Sequence, residues 1–316
     1  NKHFFVNDND HPYTFDDDKP FLWVRGYHKG GRSLTWGRQC YRWSEMDFAA
    51  NAKEGVAVDW PIRYDDVEPW YSYVEEYAGI SGQEEGLPQL PDSVFQPPME
   101  MNAPEKHVRQ QIEAAFPGRT MTIGRTAILT EAKPEQGRSA CHYCGPCSRG
   151  CSVGAYFSSQ SCTLPAARKT GNLTMQCDSI VHSVLYDDAT GRAIGVRVVD
   201  RETKEERTYT ADVIFLCASA LGTVKILLNS TSRAFPDGLA NSSGTLGHYI
   251  MDHHFKVGAV GTIPGFNDRY YYGNRPNGIY VPRYRNLPGQ NDDDDFLRGY
   301  GYQGGAFRES WARGAN

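Results

Sequence analysis

Long apolar runs, an excess of basic charge and a secretion signal are all missing from this sequence. No apolar run approaches the roughly eighteen residues that a membrane-spanning helix needs, so no transmembrane segment is predicted. The 33 Lys and Arg residues are outnumbered by 38 Asp and Glu residues and form no stripe, which excludes a nucleic-acid-binding protein. The chain begins at Asn1, without an initiator Met, a charged leader or an apolar signal core. We therefore expect a piece of a longer protein.

The composition is that of an ordinary globular protein. Apolar residues make up 40% and charged residues 22% of the chain, and the formal net charge is -5. Disordered, collagen-like and coiled-coil proteins depart strongly from these values, so those classes are excluded. The 316 residues are enough for one large domain or two ordinary domains with a proper hydrophobic core.

Cysteine, by contrast, is concentrated in one place. Half of the eight cysteines lie within eleven residues at the spacing C-x2-C-x2-C-x3-C: Cys141, Cys144, Cys147 and Cys151. Thiolates are soft ligands, and gaps of two residues allow several sulfurs to face one small centre, as an iron–sulfur cluster requires. Bacterial ferredoxins share this spacing, although Pro normally follows their last Cys, where Ser152 stands here. This cysteine run, residues 141–151, predicts an iron–sulfur cluster.

Several interpretations of the cysteine run stay open. Cys151 could complete a 4Fe-4S cluster, or a 3Fe-4S cluster could use only three of the four thiols. Alternatively the run binds zinc, or its thiols are structural and hold no metal. The remaining cysteines are predicted to be buried small apolar residues: Cys40, Cys162, Cys177 and Cys217.

The first third of the chain contains a Gly-rich loop and a lid-like insertion. Residues 21–26 predict a short strand, and Gly30 and Gly31 behind it allow positive φ angles and a close approach of backbone N–H groups to a ligand. On its own, a Gly-Gly pair is more typical of an ordinary turn. A helix is predicted from Asp65 or Asp66 to about Tyr77, then a Pro-rich segment and a short helix over 106–115. The first of these helices has an apolar stripe that is predicted to face the core: Val67, Trp70, Val74 and Tyr77.

The pattern behind the cysteine run is typical of an α/β protein. A continuous apolar run at 213–217 predicts a buried parallel strand, and small residues lead from it into a helix at 223–228. This order presents backbone to a nucleotide at the carboxyl end of a strand. The other predicted elements are a helix at 163–169, strands at 173–186 and 193–199, and antiparallel strands from 257 onward.

Three further patterns are interpreted as structural. Residues 299–304 match G-x-G-x-x-G, but they contain two tyrosines and open no helix, so a packing strand or loop is predicted. The acidic run 292–295 lacks the ligand spacing of a calcium loop and is predicted to be a solvated turn. His253 and His254 would face opposite sides of a strand, so at most one of them could reach a pocket.

Taken in order, the motifs resemble those of the glucose–methanol–choline (GMC) oxidoreductases, and within that family most resemble the flavin subunits of bacterial gluconate, fructose and glucose dehydrogenases. The resemblance rests on several segments in a fixed order, and it covers roughly residues 20–316. These segments are Gly30-Gly-Arg-Ser-Leu-Thr-Trp-Gly, Trp60-Pro-Ile-Arg-Tyr-Asp-Asp-Val-Glu-Pro-Trp-Tyr, the cysteine run, Asn172-Leu-Thr, Ala211-Asp-Val-Ile-Phe-Leu-Cys-Ala-Ser-Ala-Leu-Gly-Thr and Leu246-Gly-His-Tyr-Ile-Met-Asp-His.

The resemblance implies a fold of the α/β class, α+β overall. A partial Rossmann-like FAD-binding domain would comprise residues 20–45 and 136–255, and a substrate or lid domain with an antiparallel sheet would comprise 46–135 and 256–316. It also implies an FAD dehydrogenase that oxidises a CH–OH group of a sugar or polyol and passes electrons through the iron–sulfur cluster to an external acceptor. A cytochrome c and a small subunit are the implied partners, and a periplasmic or partner-mediated membrane location is favoured over a cytoplasmic one.

Site residues follow from the resemblance by position. Those implied to line the flavin pyrophosphate and isoalloxazine are Gly30, Gly31, Ser33, Leu34 and Trp36. Val181 is implied to contact the adenine, and Ala218 and Ala220 to border the pyrophosphate. The family's N-terminal G-x-G-x-x-G and its C-terminal catalytic His are absent here, so the catalytic residues are unknown and this chain alone is expected to be inactive.

One further departure from the family pattern concerns residue 35, and two alternative functions stay open. Some relatives tether FAD through a His where Thr35 stands here, so tethering at that position is excluded. A non-enzymatic alternative is a Cys-rich electron-transfer, zinc-binding or structural module. An alternative within the enzyme class is an alcohol oxidase that passes electrons directly to oxygen.

Overall fold

The structure, a computed structural model, describes residues 2–252, 257–266, 275–290 and 295–307. It divides into two compact units, of which the first contains residues 1–173 and 262–316 and the second contains 174–261. The domain limits expected from the family resemblance stay a prediction. The predictions for His253, His254 and residues 292–294 lie outside the described residues. Among the described residues, no helix combines the length and the apolar character needed to span a bilayer.

The described residues of the first unit contain four α-helices: α1 (Glu45–Glu54), α2 (Tyr64–Ala78), α3 (Ala103–Ala115) and α4 (Thr163–Lys169). Helix α2 starts where the Asp66 carboxylate accepts a hydrogen bond of 2.8 Å from the Arg63 amide, and it ends at Gly79, whose φ is 76°. Helix α3 starts after Asn102, whose side chain accepts a hydrogen bond from the Glu105 amide. The Glu105 carboxylate in turn accepts one from the Asn102 amide. These caps satisfy the orphan N–H groups of a first helical turn, and they confirm the predicted positions of both helices.

Two small sheets complete the first unit. Strands β1 (Ile80–Ser81) and β2 (Phe95–Gln96) pair in parallel. Strand β7 (Ile279–Val281) lies between β3 (Thr122–Ile123) and β8 (Tyr302–Gly304), antiparallel to both. The antiparallel strands predicted behind residue 257 are thus confirmed for β7 and β8. Strand β8 also lies inside the G-x-G-x-x-G segment, which confirms that this segment packs as a strand.

The apolar stripe predicted for the inward face of α2 is wrong for Trp70 and Val74, whereas Val67 and Tyr77 are half-buried. Trp70 is 68% and Val74 58% exposed. The inward face instead presents Glu75 to the guanidinium group of Arg42, which is itself buried. A buried cation requires hydrogen-bond acceptors, and Glu75 supplies them. The helix therefore turns this carboxylate inward rather than the apolar side chains of the predicted stripe.

The described residues of the second unit form a three-stranded antiparallel sheet and one α-helix. Strands β4 (Ser179–Asp187), β5 (Arg192–Asp200) and β6 (Glu206–Thr210) lie in chain order, and α5 (Ala220–Leu228) follows. The Ser230 hydroxyl, just beyond α5, accepts a hydrogen bond of 2.8 Å from the Val184 amide in β4. The hairpin predicted for 173–199 is confirmed, and α5 begins three residues earlier than predicted.

Two predicted strands do not form. Residues 213–217 are irregular, and Val213 and Phe215 are 67% and 84% exposed, because no described strand pairs with this run. Residues 21–26 are also irregular. There a side chain takes the place of a partner strand, since the Tyr13 hydroxyl donates to the Phe21 carbonyl and accepts from the Trp23 amide. Backbone polar groups that find such partners do not need a sheet.

The cysteines outside the run fall into two groups. Cys162 is buried and Cys40 is largely enclosed, whereas Cys177 and Cys217 are exposed. The prediction of burial is therefore wrong for the last two, which lie in irregular segments of the second unit. Burial raises the pKa of the Cys40 thiol to about 12.

Iodoacetamide at neutral pH is expected to modify Cys177 and Cys217 in the folded protein and to spare Cys40 and Cys162. The thiolate is the nucleophile, and alkylation also requires access to the sulfur. Peptide mass mapping after short exposure measures the four positions together, and the same reaction in urea provides the control in which all four react. Modification of Cys40 as fast as Cys177 in the folded protein would contradict the burial described here.

Candidate functional site

The cysteine run folds around a small pocket in the first unit. All four cysteines line it, together with Ile128, Val153, Ala155 and Tyr156. Cys144 is exposed and the other three thiols are half-buried. The cavity volume is about 10 Å³, which is close to the space that one water molecule requires. The structure therefore brings the four predicted ligands to one place.

The thiols are not arranged for a single metal ion. In the described part of the chain, no three His, Cys, Asp or Glu side chains form a group that could hold one. A tetrahedral zinc site with Zn–S bonds of about 2.3 Å would hold its sulfurs within about 4 Å of one another. An iron–sulfur cluster has iron and sulfide between the thiolates and therefore keeps them farther apart. The described thiols therefore show no preformed metal site, and the zinc and cluster interpretations both stay predictions.

Backbone hydrogen bonds hold the run against the core of the first unit. The Cys141 amide donates to the carbonyl of Leu129 at 2.8 Å, and the Ser139 amide donates to that of Val153 at 2.9 Å. Leu129 is fully buried and belongs to a core cluster against which three of the cysteines pack. Within the run, the Tyr143 amide donates to the Cys141 sulfur at 3.4 Å. Such N–H donors to sulfur are one of the levers that tune iron–sulfur centres.

The pocket disfavours free thiolates. Burial, together with the neighbouring cysteines, raises the pKa of the Cys147 thiol to about 11. Burial also raises the pKa of Cys141, against the opposing hydrogen bond from Tyr143. Negative charge in this pocket therefore requires a positive group close by.

The predicted flavin loop, residues 30–36, is a tight turn in the same unit. Gly30 and Gly31 have φ angles of 90° and 50°, as predicted from the Gly-Gly pair. A Cβ atom at Gly31 would meet nothing within 4 Å, so this side of the loop is open. The Ser33 hydroxyl donates to the Gly30 carbonyl. The amides of Gly31, Ser33 and Trp36 donate hydrogen bonds to carbonyls three or four residues earlier in the chain.

Serine and tryptophan contacts attach the 30–36 loop to the segment directly behind the cysteine run. The Ser159 amide donates to the Ser33 hydroxyl at 3.0 Å. The Trp36 indole N–H donates to the Phe157 carbonyl at 3.2 Å, and the Tyr156 hydroxyl donates to the Trp36 carbonyl at 3.1 Å. Because Tyr156 also lines the cysteine pocket, one residue contacts both predicted sites.

The other predicted flavin contacts lie in the second unit. Val181 is half-buried in β4, Ala218 is exposed before α5, and Ala220 is the first residue of that helix. Their flavin roles, and those of the 30–36 loop, stay predictions. Sequence reasoning missed Ser159 and two buried arginines, Arg38 and Arg138. The only local signal was their proximity to the two motifs.

Comparison with known proteins identifies relatives for most of the chain. Residues 13–254 match the family model described as GMC oxidoreductase. A 2-methyl-1,2-propanediol dehydrogenase of Mycolicibacterium austroafricanum is 28% identical over 235 residues, covering 72% of this chain and 41% of that protein. The fructose dehydrogenase large subunit of Gluconobacter japonicus is 26% identical over 236 residues, covering 71% of this chain and 40% of that protein.

An oxidase is also among the relatives. The 6'''-hydroxyparomomycin C oxidase of Streptomyces lividus is 24% identical over 241 residues, covering 73% of this chain and 42% of that protein. The chain thus spans less than half the length of the curated relatives that it matches.

Proposed function

Because this chain belongs to the GMC oxidoreductase family, we propose that it is part of an FAD-dependent dehydrogenase that oxidises a CH–OH group of a sugar or polyol. The family resemblance drawn from the motifs and the mixed α and β fold class are confirmed. Dehydrogenases named for a diol and for fructose support the substrate class. The substrate and the activity of the whole protein belong to the proposal, since the chain covers only part of these relatives.

The residues of the 30–36 loop fit the FAD that the family implies. A cofactor with two phosphates needs close backbone approach without bulky side chains, and the open side of Gly31 offers this. In the proposed role Gly30, Gly31 and Ser33 border the pyrophosphate, while Leu34 and Trp36 border the isoalloxazine. When bound, FAD supplies the hydride acceptor. The loop's own task is to hold and orient the cofactor.

The cysteine run fits an iron–sulfur cluster as the electron exit. The observation that carries this proposal is that four thiols line one pocket whose wall, Tyr156, also contacts the 30–36 loop. An electron-transfer centre beside a flavin site needs such proximity. The external acceptor that we propose is a cytochrome c, with a small subunit as a further partner and a periplasmic or partner-mediated membrane location.

Serine substitution of each run cysteine, one at a time in the full-length protein, is expected to remove iron. The wild type should contain flavin, iron and acid-labile sulfide, measured by absorbance and elemental analysis. Loss of iron in all four variants indicates a 4Fe-4S cluster, and retention in one indicates a 3Fe-4S cluster. Cys177→Ser, an exposed position outside the run, is the matched control and should keep its iron. Zinc in place of iron, or no metal in the wild type, would refute the cluster proposal.

An oxidase is the second candidate, because two of the relatives are named as oxidases. Turnover of the full-length enzyme with a dye acceptor under anaerobic conditions, compared with turnover under oxygen alone, separates the two. A dehydrogenase should turn over with the dye and only slowly with oxygen.

A further inference from the structure

Two buried arginines lie beside the cysteine pocket without a carboxylate partner. Arg38 and Arg138 are 2% and 1% exposed. Among the described residues, no Asp or Glu forms an ion pair with either of them. Three other buried arginines of this unit each have one: Arg25 with Asp8, Arg42 with Glu75 and Arg125 with Asp92. A buried cation without a counter-ion is costly, so the exception requires a cause.

Arg38 lies between the 30–36 loop and the cysteine pocket. Its guanidinium group donates to the carbonyls of Ser33 and Phe157, at 2.9 and 3.0 Å, and to that of Trp36. The guanidinium carbon is 3.1 Å from the centre of the Tyr156 ring, which lines the pocket. Neutral carbonyl dipoles and two aromatic rings, those of Tyr156 and Trp36, are thus its described partners.

Arg138 is held in the same way on another side of the run. Its side chain donates to the carbonyls of Gly154, Ala78 and Ala155, at 2.9, 2.8 and 3.3 Å, to the side-chain carbonyl of Gln136 at 2.9 Å and to the Cys162 sulfur at 3.8 Å. Ala155 is part of the pocket wall. Burial lowers the pKa of both guanidinium groups. Tyr156, Cys147 and Cys151 oppose this effect at Arg38, and Cys162, followed by Cys151, opposes it at Arg138. Charge on the run therefore reaches both arginines.

We propose, on the basis of the iron–sulfur function proposed above, that Arg38 and Arg138 supply the positive charge that compensates the thiolate-ligated centre and raises its reduction potential. Thiolates and each added electron bring negative charge into the pocket. A fixed cation close by stabilises the reduced centre more than the oxidised one, because the reduced centre carries one more negative charge. The two arginines are positioning residues in this role, and Arg38 also contacts the flavin loop.

Potentiometric titration of the iron centre in the full-length protein tests this role, with the midpoint read from electron paramagnetic resonance. Arg38→Gln removes the charge but keeps an amide donor for the neighbouring carbonyls. It should shift the equilibrium between reduced and oxidised centre at least tenfold toward the oxidised state, which lowers the midpoint by about 59 mV for one electron. Arg38→Lys keeps the charge and should stay close to the wild type. Arg138→Gln should lower the midpoint in the same direction.

Arg125→Gln is the matched control. Arg125 is equally buried in the same unit, but its charge is paired with Asp92. Its substitution should reduce stability and leave the midpoint unchanged. If Arg38→Gln and Arg138→Gln both bind iron and both keep the wild-type midpoint potential, the inference is overturned. The proposed iron–sulfur function would then stay intact. Absence of iron from the wild type would overturn the proposed function, and the inference with it.

Discussion

Glu75→Ala is expected to lower the free energy of unfolding by about 3–5 kcal/mol. The Glu75 carboxylate accepts three hydrogen bonds from Arg42, at 2.6, 3.0 and 3.1 Å, and both side chains are nearly inaccessible to solvent. Burial alone would lower the pKa of Arg42, but its interactions with Glu75 and Tyr64 together outweigh burial and raise the pKa. Removal of Glu75 would leave a buried cation without its principal counter-ion, and α2 would lose the contact that determines its orientation.

Glu68→Ala is the matched control on the same helix. Glu68 faces the same guanidinium group, but at 3.5 Å and with 46% of its side chain exposed. Exposed ion pairs of this kind contribute less than about 1 kcal/mol. Urea unfolding followed by tryptophan fluorescence measures both variants, because all five described tryptophans belong to the first unit. Equal losses for Glu68→Ala and Glu75→Ala would show that Arg42 does not depend on the buried carboxylate.

Gly79→Ala is expected to cost about 2–5 kcal/mol. The φ angle of 76° places residue 79 in the left-handed region, where a side chain adds roughly 1–2 kcal/mol. A Cβ atom there would clash with a methyl group of Leu129, so that core residue would have to move. Overpacking of a well-packed core adds about 1–3 kcal/mol. The Leu129 carbonyl accepts a hydrogen bond from the Cys141 amide, so a displacement of Leu129 would also strain the cysteine pocket.

Gly55→Ala separates the backbone contribution to this loss of stability from the packing contribution. Gly55 ends α1 as Gly79 ends α2, with a φ of 67°, but a Cβ atom there would meet nothing within 4 Å. It should therefore lose only the backbone contribution of about 1–2 kcal/mol. Thermal or urea unfolding of both variants gives the difference, which measures the contact with Leu129. A Gly79→Ala variant no less stable than Gly55→Ala would contradict the packing described here.

Features encoded by neighbouring residues could be predicted from the sequence. The positive φ angles of Gly30 and Gly31, the positions of α2 and α3 and the β4–β5 hairpin follow from caps, glycines and periodicity within a few residues. The clustering of the cysteine run follows from its spacing. The order of several such motifs was enough to identify the family.

Features that depend on distant partners could not be predicted. The inward face of α2 is determined by Arg42, which lies 33 residues before Glu75. Arg38 is buried because it donates to a carbonyl 119 residues away, and no local pattern marks such a residue. The apolar run at 213–217 indicates a strand only where a neighbouring strand exists, and hydrophobicity alone cannot supply that information.

The attachment of the 30–36 loop to the segment behind the cysteine run has a consequence for the order of folding. The hydroxyl groups of Ser33 and Ser159 meet across 126 residues. During synthesis the loop cannot take its final form until the ribosome has added the whole cysteine run, and contacts of such long range form slowly. Maturation of the two predicted cofactor sites is therefore tied to one late step, after the thiols have left the exit tunnel.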